Sequence, residues 1–297
     1  MTTMLCSNST LNIWLCDPLR YVFMQRAFLV MLTLGIVAGI IGSYVVVRGM
    51  AFLADALGHA ILPGVAIAYL NGGVHGPLML GAIISGGIAA LVIGFFTRGG
   101  TLREDSAIGI VFTGALALAL AILSYNKATA VDLQGLLVGN ILAISPQDLG
   151  VIFSVGVVIV LLVRVFYKEL LIASFDPTLG TTLQYPIEGL RYLLLLMLAM
   201  TAVIAIQAVG IILIAAMLVT PASTASLLTR RLHTMMAVSA LICCFAGVFG
   251  LLLAWHFSIS PSASIVLTMT GMFVVAYFFA PRRGLIWSLR PTNEQRS

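Results

Sequence analysis

Asp55 and His59 are the residues of this chain best placed to do chemistry. Both lie inside an apolar run, where ionisable side chains are costly and mark functional sites by default. Their i, i+4 spacing sets both on one face of a helix. A carboxylate oxygen beside an imidazole nitrogen suits Mn(II), Zn(II) or Fe(II). The same spacing also fits a pair that neutralises itself, or that holds a neighbouring helix and touches no metal. Two donors are too few for a closed transition-metal site. Either other groups join, or two copies of the chain each bring one pair to a symmetry axis. A transport site gains from having few protein ligands, because the ion must leave again.

Pro63 and Gly64 follow one turn later. Proline removes a helical hydrogen bond and glycine lowers stiffness, so the helix is expected to break there. Broken helices near the membrane midplane accompany binding sites, although a packing kink has the same sequence. Thr220–Pro221, followed by Ser223 and Thr224, marks a second irregular run. His75 and His256 fall in expected external turns, and His233 follows Arg230–Arg231 on a basic edge. Cys243 and Cys244, adjacent inside an apolar run, read as small apolar filler. Cys6, Cys16 and the Met-x-x-Met pairs show no metal-ligand spacing. Neither a G-x-S-x-G motif nor a buried base beside Ser223, Thr224 or Ser262 supports an intramembrane protease.

These residues must be positioned by membrane helices. The chain has 297 residues, 61% hydrophobic and only 8% charged, against roughly 25% charged in soluble domains. About 20 apolar residues cross a bilayer, which leaves room for roughly eight crossings. Long unbroken apolar runs occur at 27–47, 51–70, 77–97, 107–124, 149–163, 192–209, 210–228, 235–254 and 262–280. Such runs imply helices, not a barrel. The expected fold is therefore all-α, a polytopic transmembrane helical domain with one or two broken or re-entrant helices. A shorter piece, 133–144, fits a re-entrant or an interfacial segment. The expected organisation is an N-terminal segment over 1–26, a transmembrane domain over 27–283 and a cytoplasmic tail over 284–297. Basic residues flank cytoplasmic membrane edges. The rule puts Arg48, the 98–103 and 164–191 loops, Arg230–Arg231 and Arg282–Arg283 inside, with the N-terminus outside. The net charge of +5 is thereby accounted for without nucleic acid. Gly35, Gly39 and Gly42, and Gly86, Gly87 and Ala90, permit close helix approach.

Residues 174–186 form the one polar stretch long enough for its own structure. Ser174 or Asp176 can cap a short helix with Pro177 at its first position, and Pro186 would end it. On the cytoplasmic side such a helix either docks a partner or merely connects two spans. No GxxxxGK[ST] occurs, so the chain itself has no ATP-binding signature.

Five motifs in order carry a family resemblance. They are residues 46–66 around Asp55, the run 104–110 from Glu104, the run 139–146, the run 170–177 ending in Ser174, Phe175, Asp176 and Pro177, and the run 207–222 containing Thr220 and Pro221. Together they resemble the manganese/zinc/iron permeases of ABC importers, over about residues 20–283. The resemblance implies a dimer of two permease copies, two cytoplasmic ATP-binding subunits and an extracytoplasmic metal-binding protein, in the bacterial plasma membrane. It implies that Asp55 and His59 line the metal path, and that the segment from Phe175 through Gly180 to Pro186 couples to the ATPase. Ala54 departs from the glycine that often precedes the Asp, and a methyl there is expected to tighten packing. The implied activity is ATP-driven import of a divalent metal by alternating access, with no covalent chemistry and no permanently bound cofactor. Likeness around Asp55 and 207–222 favours manganese over zinc or iron. The alternative is an ATP-independent secondary transporter or channel, which would need coupling residues of its own.

Overall fold

The computed structural model describes residues 17–72, 78–100, 102–125, 139 and 141–280. His75, Cys6, Cys16, Arg282–Arg283, the tail and most of the 133–144 piece lie outside them. In chain order the helices are α1 (Val22–Val47), α2 (Leu53–Ala60), α3 (Leu62–Gly72), α4 (Leu78–Thr97), α5 (Glu104–Tyr125), α6 (Pro146–Val165), α7 (Tyr167–Phe175), α8 (Pro177–Thr182), α9 (Ile187–Val209), α10 (Ile211–Leu228), α11 (Leu232–Phe257) and α12 (Pro261–Phe279). The described residues contain no strand. Nine crossings among them are long and apolar enough for a bilayer, with α2 and α3 forming one broken crossing.

Several helices outrun the apolar stretches that announce them. α1 begins at Val22, ahead of Gln25 and Arg26, because the Gln25 amide folds back to donate to the Leu19 carbonyl at 2.7 Å. α6 begins at Pro146 behind a capping box, in which the Ser145 hydroxyl accepts from the Asp148 backbone N–H. Such a cap satisfies donors that lipid cannot.

α1 is the central post, packed against α6, α9, α10 and α11. Its glycines allow this. A Cβ at Gly39 would sit 2.5 Å from the Ala240 Cα, and one at Gly35 would sit 2.9 Å from the Cys244 Sγ, both on α11. Gly42 meets the Leu218 carbonyl of α10. Gly86 packs on Ile61 and Val203, whereas Gly87 meets nothing.

The α9–α10 junction is one residue, Gly210, with φ 83°. Ser262, at the start of α12, donates to the Val209 carbonyl at 3.3 Å, and Gly139 lies against Gly210. The junction therefore shares its side with residue 139 and the start of α12. α10 returns from there to the Arg230–Arg231 turn. Alternating crossings then put Arg48, Arg98, Arg103, Arg164, Arg230 and Arg231 on one side, the cytoplasmic one.

Pro221 does not split α10, which runs unbroken past it. Proline leaves the Met217 carbonyl without its helical donor. The Cys243 thiol of α11 approaches that carbonyl at 4.0 Å, so this cysteine supplies a weak donor where the helix lacks one.

At the cytoplasmic ends, Glu104 of α5 ties three elements together. Its Oε1 accepts from Arg191 of α9 at 2.7 Å and lies 3.5 Å from Arg48 in the α1–α2 turn. Arg191 also donates to the Thr97 carbonyl at 3.0 Å, at the end of α4. Burial draws the Arg48 guanidinium below its ordinary value, Glu104 pulls it back up, and Arg191 acts in the same direction as burial. The single Glu104 carboxylate thus lies between two guanidinium groups.

Glu104→Gln should therefore lower stability by roughly 1.5–3 kcal/mol, the range for hydrogen bonds to charged groups. Thermal unfolding of the detergent-purified protein checks this, and an unchanged midpoint would show the cluster to be energetically idle.

Candidate functional site

α2 is short because of the residues that follow it. Pro63 brings no N–H to the His59 carbonyl, and the backbone breaks at Ile61 between α2 and α3. The Ala60 carbonyl, freed at the break, accepts from the Ser85 hydroxyl of α4 at 2.7 Å. One turn on, Gly64 and Gly81 lie backbone to backbone, with no room for a Cβ on either. The break is thus stapled by a hydrogen bond and a glycine crossing, and its angle is fixed rather than loose.

α2 is packed against α4, α5, α9 and α10. Leu53, Ala54, Ala56, Leu57, Gly58 and Ala60 are all buried. The added methyl of Ala54 is fully enclosed. Gly58 faces Ile211 at the start of α10, where a Cβ would come within 3.0 Å. Only Asp55 and His59 show on this helix, with side chains 50% and 19% exposed. Everything apolar on α2 is used for packing, and the one open stripe is its polar pair.

The pair is oriented. His59 Nδ1 lies 3.0 Å from the Asp55 carbonyl oxygen and 3.8 Å from Asp55 Oδ1. With the proton on Nδ1 donated to that carbonyl, Nε2 keeps its lone pair for a metal. Phe112 of α5 meets the imidazole edge-on, with centroids 5.0 Å apart, and fixes the ring plane. Phe112 stands two turns along α5 from Glu104, about 12 Å at the helical rise. In a core about 30 Å thick, His59 is therefore near mid-depth. The described residues hold no cluster of three or more His, Cys, Asp or Glu, so a metal here needs water, carbonyl oxygens or a second copy to complete its shell.

The break residues fall unequally around this pair. Pro63 and Gly64 adjoin it in sequence and fold. Thr220 and Pro221 lie on α10, which also packs on α2, with the Thr220 carbonyl accepting from the Thr224 hydroxyl at 2.8 Å. Ser85 and Phe112 were not legible as site residues. Ser85 is a lone hydroxyl in an apolar run, and Phe112 carries no sequence signal.

The cytoplasmic segment is set apart from the pair. Ser174 and Phe175 close α7 instead of opening a new helix. Asp176 is the cap of α8, its Oδ1 accepting from the Leu179 N–H at 2.9 Å, with Pro177 in the first turn. α8 ends at Thr182, before Pro186, which instead leads into α9. Gln184 takes a left-handed φ of 59° in the turn between them. Gly180 is buried against Ile187, while Phe175, Leu179 and Leu183 are exposed.

Comparison with known proteins agrees with this architecture. The ABC 3 transport family matches over residues 20–280. The chain is 39% identical to the manganese transport system membrane protein MntC of Halalkalibacterium halodurans, across 94% of each protein. It is 38% identical to the manganese import system permease protein ScaB of Streptococcus gordonii, covering 88% of this chain and 92% of that one. A solved structure of PsaBC from Streptococcus pneumoniae in complex with Fab contains a chain that superposes with a TM-score of 0.80 at 37% identity, over 92% of this chain and 97% of that one. This multi-pass protein of the bacterial plasma membrane belongs to the ABC 3 transport family.

Proposed function

We propose that this chain is the membrane permease of an ABC importer for a divalent metal, with manganese the preferred cargo. The observation that carries the reading is the open polar stripe of α2: a half-exposed Asp55 carboxylate near mid-membrane. Lipid cannot solvate that charge, so it must face a polar path or a partner. Two permease copies would meet there, each contributing one Asp55 oxygen and one His59 nitrogen, with water completing the shell. Mixed oxygen and nitrogen donors, few in number, suit Mn(II) held loosely enough to release. The manganese named for the similar proteins MntC and ScaB supports that choice over zinc or iron.

The exposed apolar residues in and beside α8, Phe175, Leu179 and Leu183, support a dock for a separate ATP-binding subunit. Movement there would pass through α7 and α9 and rock the two copies between outward and inward openings. An extracytoplasmic metal-binding protein would deliver the ion. Pro63–Gly64 and Thr220–Pro221 would be the helix irregularities beside the path.

Asp55→Ala or His59→Ala should abolish manganese uptake by cells while the protein still assembles in the membrane. Normal uptake by both variants would sink the site assignment. Leu179→Asp, placing a charge on the proposed dock, should strip the ATPase from the purified complex while the permease still folds. An ATPase retained at wild-type level by that variant would move the dock elsewhere, and an ATPase absent even from the wild-type complex would favour a secondary transporter.

A further inference from the structure

A long groove on the face formed by α1, α6 and α11 is separate from the α2–α5 pair. Its upper part, about 750 Å³, lies between α1 and α6 and is walled by Leu32, Ile36, Phe153, Val157 and Val160. Its lower part, about 380 Å³, shares Val160 and continues between α6 and α11 along Ile40, Val163 and Met236. The lower mouth is different in kind, being framed by Arg164, Tyr167 and His233. Arg164 and His233 are both exposed, and neither forms an ion pair among the described residues. The flanking charges are exposed Lys168, Arg230 and Arg231. Glu169, next to Lys168 in the chain, turns an oxygen into the interior.

An apolar trough that ends at Arg164 and His233, beside exposed Lys168, Arg230 and Arg231 at the cytoplasmic edge, matches one occupant of a membrane, a phospholipid with an anionic headgroup. We propose that this groove is a binding site for one anionic phospholipid of the inner leaflet. Arg164 and His233 hold its phosphate, the Tyr167 hydroxyl lies at headgroup level, and one acyl chain runs up the α1–α6 trough. Basic pockets between membrane helices on the cytoplasmic side take such headgroups. Gly156 shapes the trough. A Cβ on it would press on Thr33 and Val37 at 3.1 and 3.2 Å, so α6 lies close on α1 there. The headgroup would tie α6 to α11, and α6 leads directly into α7 and α8. The inference needs only membrane residence and does not depend on the metal reading.

The full-length permease, purified with whatever subunits accompany it, is titrated with phosphatidylglycerol or phosphatidylcholine and examined by native mass spectrometry. The wild type should retain one phosphatidylglycerol about fivefold in preference to phosphatidylcholine, the effect of one arginine near the membrane surface. Arg164→Gln with His233→Gln should remove that preference. Ala237→Trp, which narrows the lower wall and leaves Arg164 and His233 in place, should reduce retention of the lipid with the protein still folded. Equal retention of both lipids by the wild type, or an unchanged preference in the charge variant, would overturn the site. Displacement by millimolar inorganic phosphate would also overturn it, by showing a simple anion site with no role for the acyl chain.

Discussion

Lipid solvates no polar group, and that single constraint organises this molecule. Each carbonyl or charge that departs from a continuous helix has to be answered by another part of the protein. The Ala60 carbonyl at the broken crossing is answered by Ser85. The Met217 carbonyl below Pro221 is approached by Cys243. The three charges at the cytoplasmic ends, Arg48, Glu104 and Arg191, answer one another. Asp55 is answered only in part. Its neighbour His59 is held by the Asp55 backbone, and its own carboxylate stays half open near mid-depth. A carboxylate left half open near mid-depth is what the proposed metal path rests on.

The rigid surroundings of that opening matter as much as its ligands. α2 is enclosed by four helices, and its continuation into α3 is pinned by the Gly64–Gly81 crossing. The ring of His59 is set by Phe112. α5, which carries Phe112, is anchored at its start by the Glu104 cluster. A movement arriving through α9 would therefore reach the Asp55–His59 pair through Arg191, Glu104 and α5. This gives a contiguous physical route, built from packed helices and one charged cluster, between the cytoplasmic face and mid-membrane.

Much of this was legible in the sequence. Lipid makes hydrophobic runs nearly sufficient to locate helices, and the shared face of Asp55 and His59, the break at Pro63 and the Asp176–Pro177 cap follow from local spacing. The ends of the helices were less legible. α1 runs past Gln25 and Arg26 because an amide can fold back on Leu19, which composition does not register. Pro221 signals a break that α10 does not show, because a proline bends or spares a helix according to what packs on it. Pro186 was read as a stop for α8 and instead begins α9. Phe112, Ser85 and the Glu104 cluster depend on contacts between distant elements, and nothing local announces them.

The central claim is that two copies of one Asp–His pair bind one metal ion between them. Mn(II) bound to the purified, assembled transporter and examined by pulsed electron paramagnetic resonance tests this most directly. The expected result is one Mn(II) per two chains, with coupling to histidine nitrogen that disappears in His59→Gln. One ion per chain, or nitrogen coupling that survives the substitution, would contradict it.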